Sequence, residues 1–142
     1  MSRRRSHEQG SAAVELMLAA PVLLLAALLM VAGARYADAA LKATAAAHSA
    51  ARAASLHTDP AHARNAARHQ AKAALAHAGL SCEEHTVYLQ TLGPERRQSV
   101  HAQVGCRIAL GDLAPLGLPG HTMVRGQASA PIDPYRDTEA TS

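Results

Sequence analysis

Histidine and cysteine are the residue types in this chain that most strongly suggest a zinc site. The sequence contains nine His and two Cys, and His62 and His69 could share one face of a helix. A zinc site could also be built from both cysteines and a neighbouring histidine, drawn from Cys82, Cys106, His85 and His101. Neither set has a recognised ligand spacing, and scattered histidines in an alanine-rich helix are usually solvated. We therefore expect no metal and no other cofactor.

The side chains that could take part in catalysis also do not form a recognisable motif. Glu83, Glu84 and His85 adjoin a predicted strand, but neither a partnered nucleophile nor a glycine-rich phosphate loop accompanies them. We predict no catalytic residues and a protein that is not an enzyme.

Nucleic-acid binding is also not expected. The formal net charge is +3, and the first ten residues hold three of the 14 Lys and Arg against one of the 11 acidic residues. Without them the chain is nearly neutral, and aromatic residues make up only 2% of it. Such a chain offers neither a phosphate-binding surface nor a stacking platform for bases.

One carboxylate, Glu15, stands at the edge of a long apolar run. The segment Leu16 to Ala34 carries no charged side chain. As a helix it would be roughly 28 Å long, close to the hydrocarbon thickness of a bilayer. We interpret it as a transmembrane helix, in which Pro21 can be absorbed by a local adjustment.

The charges around this span predict its orientation. Arg3, Arg4 and Arg5 precede it, so the positive-inside rule places the N-terminus in the cytoplasm and everything after Arg35 outside the membrane. A cleaved secretory signal ending at Ala34 is the alternative interpretation. The apolar run is longer than the usual hydrophobic region of a signal peptide, and Glu15 interrupts the expected order, so we favour a retained helix.

The residues around Glu15 resemble a known processing signal. In "GSAAVEL", Gly10 precedes a candidate cleavage site and Glu15 is the fifth residue after it. This pattern is similar to the class III signal of type IV prepilins and pseudopilins. The resemblance implies that a prepilin peptidase cuts between Gly10 and Ser11 on the cytoplasmic face. The new amine at Ser11 would be positively charged, and Glu15 could neutralise it in the same or a neighbouring subunit.

Within this group the first 56 residues resemble the TadE-like pseudopilins of the tight-adherence (Flp-like, type IVb) pilus system. Members typically show the Gly, small residues and Val-Glu, an apolar run with a Pro about six residues after the Glu, and an Ala-Arg-Ala segment one to two dozen residues beyond the membrane. Pro21 and Ala51-Arg52-Ala53 occupy these places here, whereas Leu16 stands where many members carry an aromatic residue. The resemblance implies a structural component or assembly factor of a pilus.

Two helices are predicted. No Gly or Pro interrupts Ala37 to His57, so the membrane helix should continue as a stalk to His57. Asp59 as N-cap and Pro60 as first residue should start a second helix that stops at Gly79. Arg64, Arg68 and Lys72 form a basic stripe on it, interpreted as a solvated face, with docking to lipid head groups or an acidic partner as the alternative.

A small antiparallel sheet is predicted after Gly79. In "SVHAQVGCRIAL" one face is apolar at alternate positions: Val100, Ala102, Val104, Cys106, Ile108 and Leu110. "HTVYLQTL" should form its hairpin partner across "GPERRQ", with Val87 opposite Ala102 and Leu89 opposite Val100, and "TMVRGQASA" a third strand. In this register Cys82 is one position from direct opposition to Cys106, unless it lies outside the strand. An extracytoplasmic compartment nevertheless favours a disulfide between them.

The sequence thus predicts an α+β protein with five segments. They are a basic cytoplasmic leader (1–10), the transmembrane helix and its extension (11–57), a second helix (58–79), a small antiparallel β domain (80–131) and a flexible tail (132–142).

The expected function is that of a TadE-like pseudopilin that crosses the cell membrane once; the sequence leaves open whether it is incorporated in a surface pilus. Its expected partners are the prepilin peptidase, other pilin or pseudopilin subunits, the inner-membrane assembly platform and membrane lipid. The alternative is a secreted or membrane-anchored disulfide module that binds an unrelated ligand. The two differ at the mature N-terminus, which is Ser11 in the first case and lies near Arg35 in the second.

Overall fold

The computed structural model of the protein describes residues 6–94, 97–113, 117 and 119–133. The chain divides into two compact units, Met1–Arg35 and Tyr36–Ser142. The predicted basic cluster Arg3 to Arg5 and the predicted tail beyond Asp133 lie outside the described residues.

The order of elements confirms the predicted α+β class. Helix α1 spans Ser6–Ser55 and α2 spans Pro60–His77; strands β1, β2 and β3 span Glu84–Leu92, Ser99–Ala109 and His121–Pro131. A single helical turn, α3 (Leu110–Leu113), lies between β2 and β3. Strand β2 therefore ends before Leu110, which was predicted to continue its apolar face.

Helix α1 is a single 50-residue element that includes Pro21. It ends two residues before the predicted His57. The amides of Leu56 and His57 bond the carbonyls three residues earlier, at 3.3 and 3.1 Å. Such tightened bonds commonly close the last turn of a helix.

The ends of α2 follow from its local sequence. Asp59 is the N-cap, with an extended backbone and a side chain that accepts a hydrogen bond from the His62 amide at 2.8 Å. Pro60 is the first helical residue, and Gly79 follows the C-cap with a φ of +68°. Both ends agree with the prediction, because Pro is pre-set for the first turn and Gly adopts the left-handed conformation readily.

The sheet has the strand order β1-β2-β3 with both pairs antiparallel. The predicted register of the first pair is wrong by two residues, since Val87 pairs with Val104 and Leu89 with Ala102. A shift of two keeps every side chain on the same face of the strand, so the apolar alternation could not distinguish the registers.

The core of the second unit is built mainly from alanine. Buried alanines on α1 and α2 pack with the inward-facing residues of β2: Ala46, Ala47, Ala50, Ala51, Ala54, Ala67, Ala71, Val100, Ala102 and Val104. Small side chains let backbones approach closely. At Gly126, β3 lies so close to α1 that a Cβ at this position would overlap the backbone of Ala43 and Thr44.

Candidate functional site

The first unit presents a helix with an exposed apolar surface. Its large apolar side chains between Val14 and Val31 are mostly exposed, and the exposed fraction reaches 80% at Met17 and 73% at Leu29. Soluble monomers rarely expose a continuous apolar surface of this kind. Among the described residues, one helix is long and apolar enough to cross a membrane, and the most apolar part of it is not buried within the protein. The segment is therefore compatible with a single-pass membrane anchor.

Glu15 is the only charged residue between Ala13 and Ala34, and its side chain is exposed. It forms no ion pair with any described residue. An ionisable side chain bordering an apolar span is costly unless a partner compensates it, so its position marks Glu15 as a candidate functional residue.

The predicted cleavage bond between Gly10 and Ser11 lies within the helical backbone of α1. A protease must reach this bond from a backbone that has locally opened. Glycine lowers the stability of a helix interior by roughly 0.5–1 kcal/mol relative to alanine, so Gly10 eases opening at the point where it is needed.

The predicted Ala-Arg-Ala segment lies near the end of α1, in the second unit. Ala51 is fully buried in the core, whereas Arg52 is exposed. Arg52 lines a groove between this end of α1 and the last residues of β3, together with His48, Ser49, Ser55, Leu56, Ser129, Ala130 and Pro131. The segment thus combines a packing residue with an exposed cation.

The two cysteines form a disulfide between Cys82 and Cys106, with the Cα atoms 5.3 Å apart. Cys82 lies outside β1, and Cys106 is opposite His85 in the register. The amide of Glu83 donates to the carbonyl of Arg107 at 3.0 Å, which holds the chain beside β2 where the bridge forms. Because both sulfur atoms are bonded to each other, neither is a thiolate that could bind zinc.

Of the four histidines considered as metal ligands, one contacts a carboxylate and the other three are exposed. His62 is 2.7 Å from the Asp59 carboxylate, and His69 is exposed on α2. His85 and His101 are exposed on the sheet. In the part of the chain that the structure describes, no group of three or more potential ligands could hold a metal ion.

Two of the ion pairs that were not anticipated from the sequence differ in how easily they could have been found. His121 Nε2 lies 2.9 Å from a Glu83 carboxylate oxygen, next to the disulfide, and Lys42 pairs with Asp38 at 2.7 Å one turn apart on α1. The i,i+4 spacing was a usable signal for the second pair. The first joins residues 38 positions apart and needed the strand pairing.

The exposed side of α2 carries the predicted basic stripe. Arg64, Arg68 and Lys72 are exposed, while Ala67, Ala71 and Leu75, on the adjoining face of the helix, are buried. The N-cap carboxylate of Asp59 is held in its charged form, because the His62 amide and then the His62 side chain lower its pKa from the usual 3.8.

One segment of the chain matches the model of a known protein family. Residues 10–52 match the model of the family described as TadE-like protein, which confirms the resemblance expected from the sequence. The match starts at Gly10 and ends at Arg52. No curated protein and no solved structure matches the chain.

Proposed function

We propose that this chain, which carries a TadE-like domain over residues 10–52, is a pseudopilin of a tight-adherence pilus. It acts as a structural component or assembly factor and not as an enzyme. The main support for the proposal is the first residue of the family match. The match starts at Gly10, the residue that a prepilin peptidase would leave at the end of the leader, and includes both Ser11 and Glu15.

The exposed apolar surface of α1 supports this role. Before assembly, a surface of this length and composition is stable only in lipid. Within an assembly, the same surface can pack against the apolar helices of other pilin or pseudopilin subunits. Glu15 then contacts the Ser11 amine of a neighbouring subunit, which offsets the cost of placing a carboxylate beside the span.

The cysteines and the charge distribution support an extracytoplasmic second unit. Disulfides persist in oxidising compartments, and the bridge from Cys82 to Cys106 lies in this unit. Arg3 to Arg5 on the other side of the span favour a cytoplasmic N-terminus. The expected partners are the prepilin peptidase and the inner-membrane assembly platform.

N-terminal sequencing of the mature protein from native membranes tests the proposal. We expect the mature chain to begin at Ser11. A mature chain that begins near Arg35 would instead identify a cleaved secretory signal and overturn the proposal.

A matched pair of variants sharpens the test. Gly10→Val should block leader removal, because the branched side chain obstructs a closely fitting protease and stiffens the backbone. Gly33→Val is the control, since it is the same substitution in the same helix at a position where a Cβ meets nothing within 4 Å. Normal processing of the Gly10→Val chain would contradict cleavage at this site.

A further inference from the structure

Helix α2 carries an uncompensated positive charge. It has no acidic residue, and Arg64, Arg68 and Lys72 are exposed along one side. None of the three forms a salt bridge with a described residue. Lys42 and Arg107, in contrast, each pair with a carboxylate. The stripe is therefore available to an anionic group from outside the chain.

Two of these cations line a groove with strand β1. The groove is formed by Arg64 and Arg68 of α2 and by Val87, Tyr88 and Leu89 of β1. Successive residues of a strand point to opposite faces, so a groove lined by three of them in a row runs along the edge of the strand. Arg64 and Arg68 therefore line a groove that follows the edge of the strand.

This edge of the sheet has a free backbone. Strand β1 is the first in the order β1-β2-β3, so only one of its edges is paired with another strand. Among the described residues, no further backbone hydrogen bond satisfies the groups between Val87 and Leu89 on the outer edge. Unlike β3, which ends at Pro131, β1 contains no proline that would prevent pairing with an added strand.

The position of α2 determines where the side chains of an added strand would point. Its buried residues pack in the same cluster as Val87 and Leu89, so α2 covers the inner face of the sheet. Every second side chain of a strand added to β1 would point to this inner face and meet the flank of α2. Arg64 and Arg68 are one helical turn apart, about 6 Å along the axis, and alternate strand residues are separated by about 6.6 Å. Where α2 runs alongside β1, these two spacings match.

We propose that this groove binds an extended acidic segment of a partner protein, which adds to β1 as a fourth strand and places carboxylates at alternate positions on Arg64 and Arg68. Guanidinium and carboxylate groups form charge-assisted, often bidentate hydrogen bonds. The strand edge supplies main-chain hydrogen bonds, as in other cases of strand addition. A lipid head group would satisfy the cations but not the free backbone. The site is independent of the proposed pilus function.

Fluorescence anisotropy with the full chain in non-ionic detergent tests this site. The probe is a labelled peptide of alternating Thr and Glu, and the expected result is saturable binding. Arg64→Glu combined with Arg68→Glu should weaken binding by at least about tenfold, because two charge-assisted contacts are lost. Arg125→Glu is the control for each single reversal, Arg64→Glu or Arg68→Glu, since this exposed arginine on β3 is not part of the groove and its reversal should have little effect.

Two altered probes separate strand addition from simple charge attraction. A peptide of the same composition with its glutamates contiguous, and an alternating peptide whose backbone amides are methylated, should both bind more weakly than the original. Equal binding of all three peptides, stronger binding of vesicles rich in anionic lipid, or no binding of any peptide would each overturn the proposal. A failure here leaves the N-terminal processing result unaffected, so the two proposals can fail separately.

Discussion

Gly126 of β3 lies directly against the backbone of Ala43 in α1, with no space for a side chain between the strand and the helix. Gly126→Ala should therefore push the two elements apart and reduce the free energy of unfolding by about 1–3 kcal/mol, the usual cost of overpacking. Chemical denaturation of the detergent-solubilised protein measures this change.

Gly105→Ala is the control for this prediction. Its Cβ would meet the Thr86 hydroxyl at 2.6 Å and the Met123 sulfur at 3.5 Å, both in side chains that can rotate away. We expect a smaller loss of stability at 105 than at 126. The reverse order would show that the contact between β3 and α1 does not limit the packing.

Removal of the disulfide should destabilise the second unit. Cys82→Ala with Cys106→Ala opens a loop with a sequence separation of 24, and loss of a native bridge from a small disulfide-bonded domain typically costs about 2–5 kcal/mol. Denaturation should show the same direction of change when the unaltered protein is treated with a reductant, which keeps both sulfur atoms in place. Unchanged stability after complete reduction would contradict the prediction.

Acid should weaken the start of α2 through Asp59. The pKa of Asp59 is lowered mainly by the hydrogen bond from the His62 amide. A carboxyl whose pKa is lower in the folded state stabilises that state above its usual pKa of about 3.8, and the contribution disappears as the pH falls through the lowered value. Asp59→Asn keeps a capping side chain but cannot titrate. We expect it to lose less helicity than the unaltered protein between about pH 5 and pH 2, measured by circular dichroism.

The carboxylate of Glu15 should be needed for assembly but not for membrane insertion. Glu15→Ala removes a charge and raises helix propensity, so a protein that needed only an anchor would insert at least as well. We expect normal insertion and leader removal but loss of pilus assembly, each measured separately in native cells. Asp38→Ala is the control, because it removes a carboxylate that pairs with Lys42 outside the span. Normal assembly with Ala at position 15 would count against the proposed contact with Ser11.

The parts of the fold that depend on local chemistry were predictable from the sequence. Asp59, Pro60 and Gly79 mark the ends of α2 because each residue type has a specific role at a helix terminus. The buried face of β2 was predictable because alternate residues of a strand lie on the same face and those of β2 are apolar.

Relationships between distant elements were not predictable. The register of β1 against β2 remained ambiguous, because a shift of two residues changes no side chain's face. The contact of Gly126 with α1, and the position of Arg64 and Arg68 beside β1, depend on how whole elements pack. Of the candidate functional residues, Glu15 could be recognised because a charge beside an apolar run is conspicuous in any sequence.

The disulfide also changes how the second unit responds to mechanical force. The bridge from Cys82 to Cys106 encloses all of β1 and most of β2. If the chain is pulled between α1 and the end of β3, these enclosed residues cannot extend, even after the sheet has come apart. At about 3.4 Å per residue, the oxidised protein should release roughly 75–80 Å less contour length than the reduced one. If the chain is a pilus subunit, as we propose, the bridge would limit how far that subunit lengthens under tension.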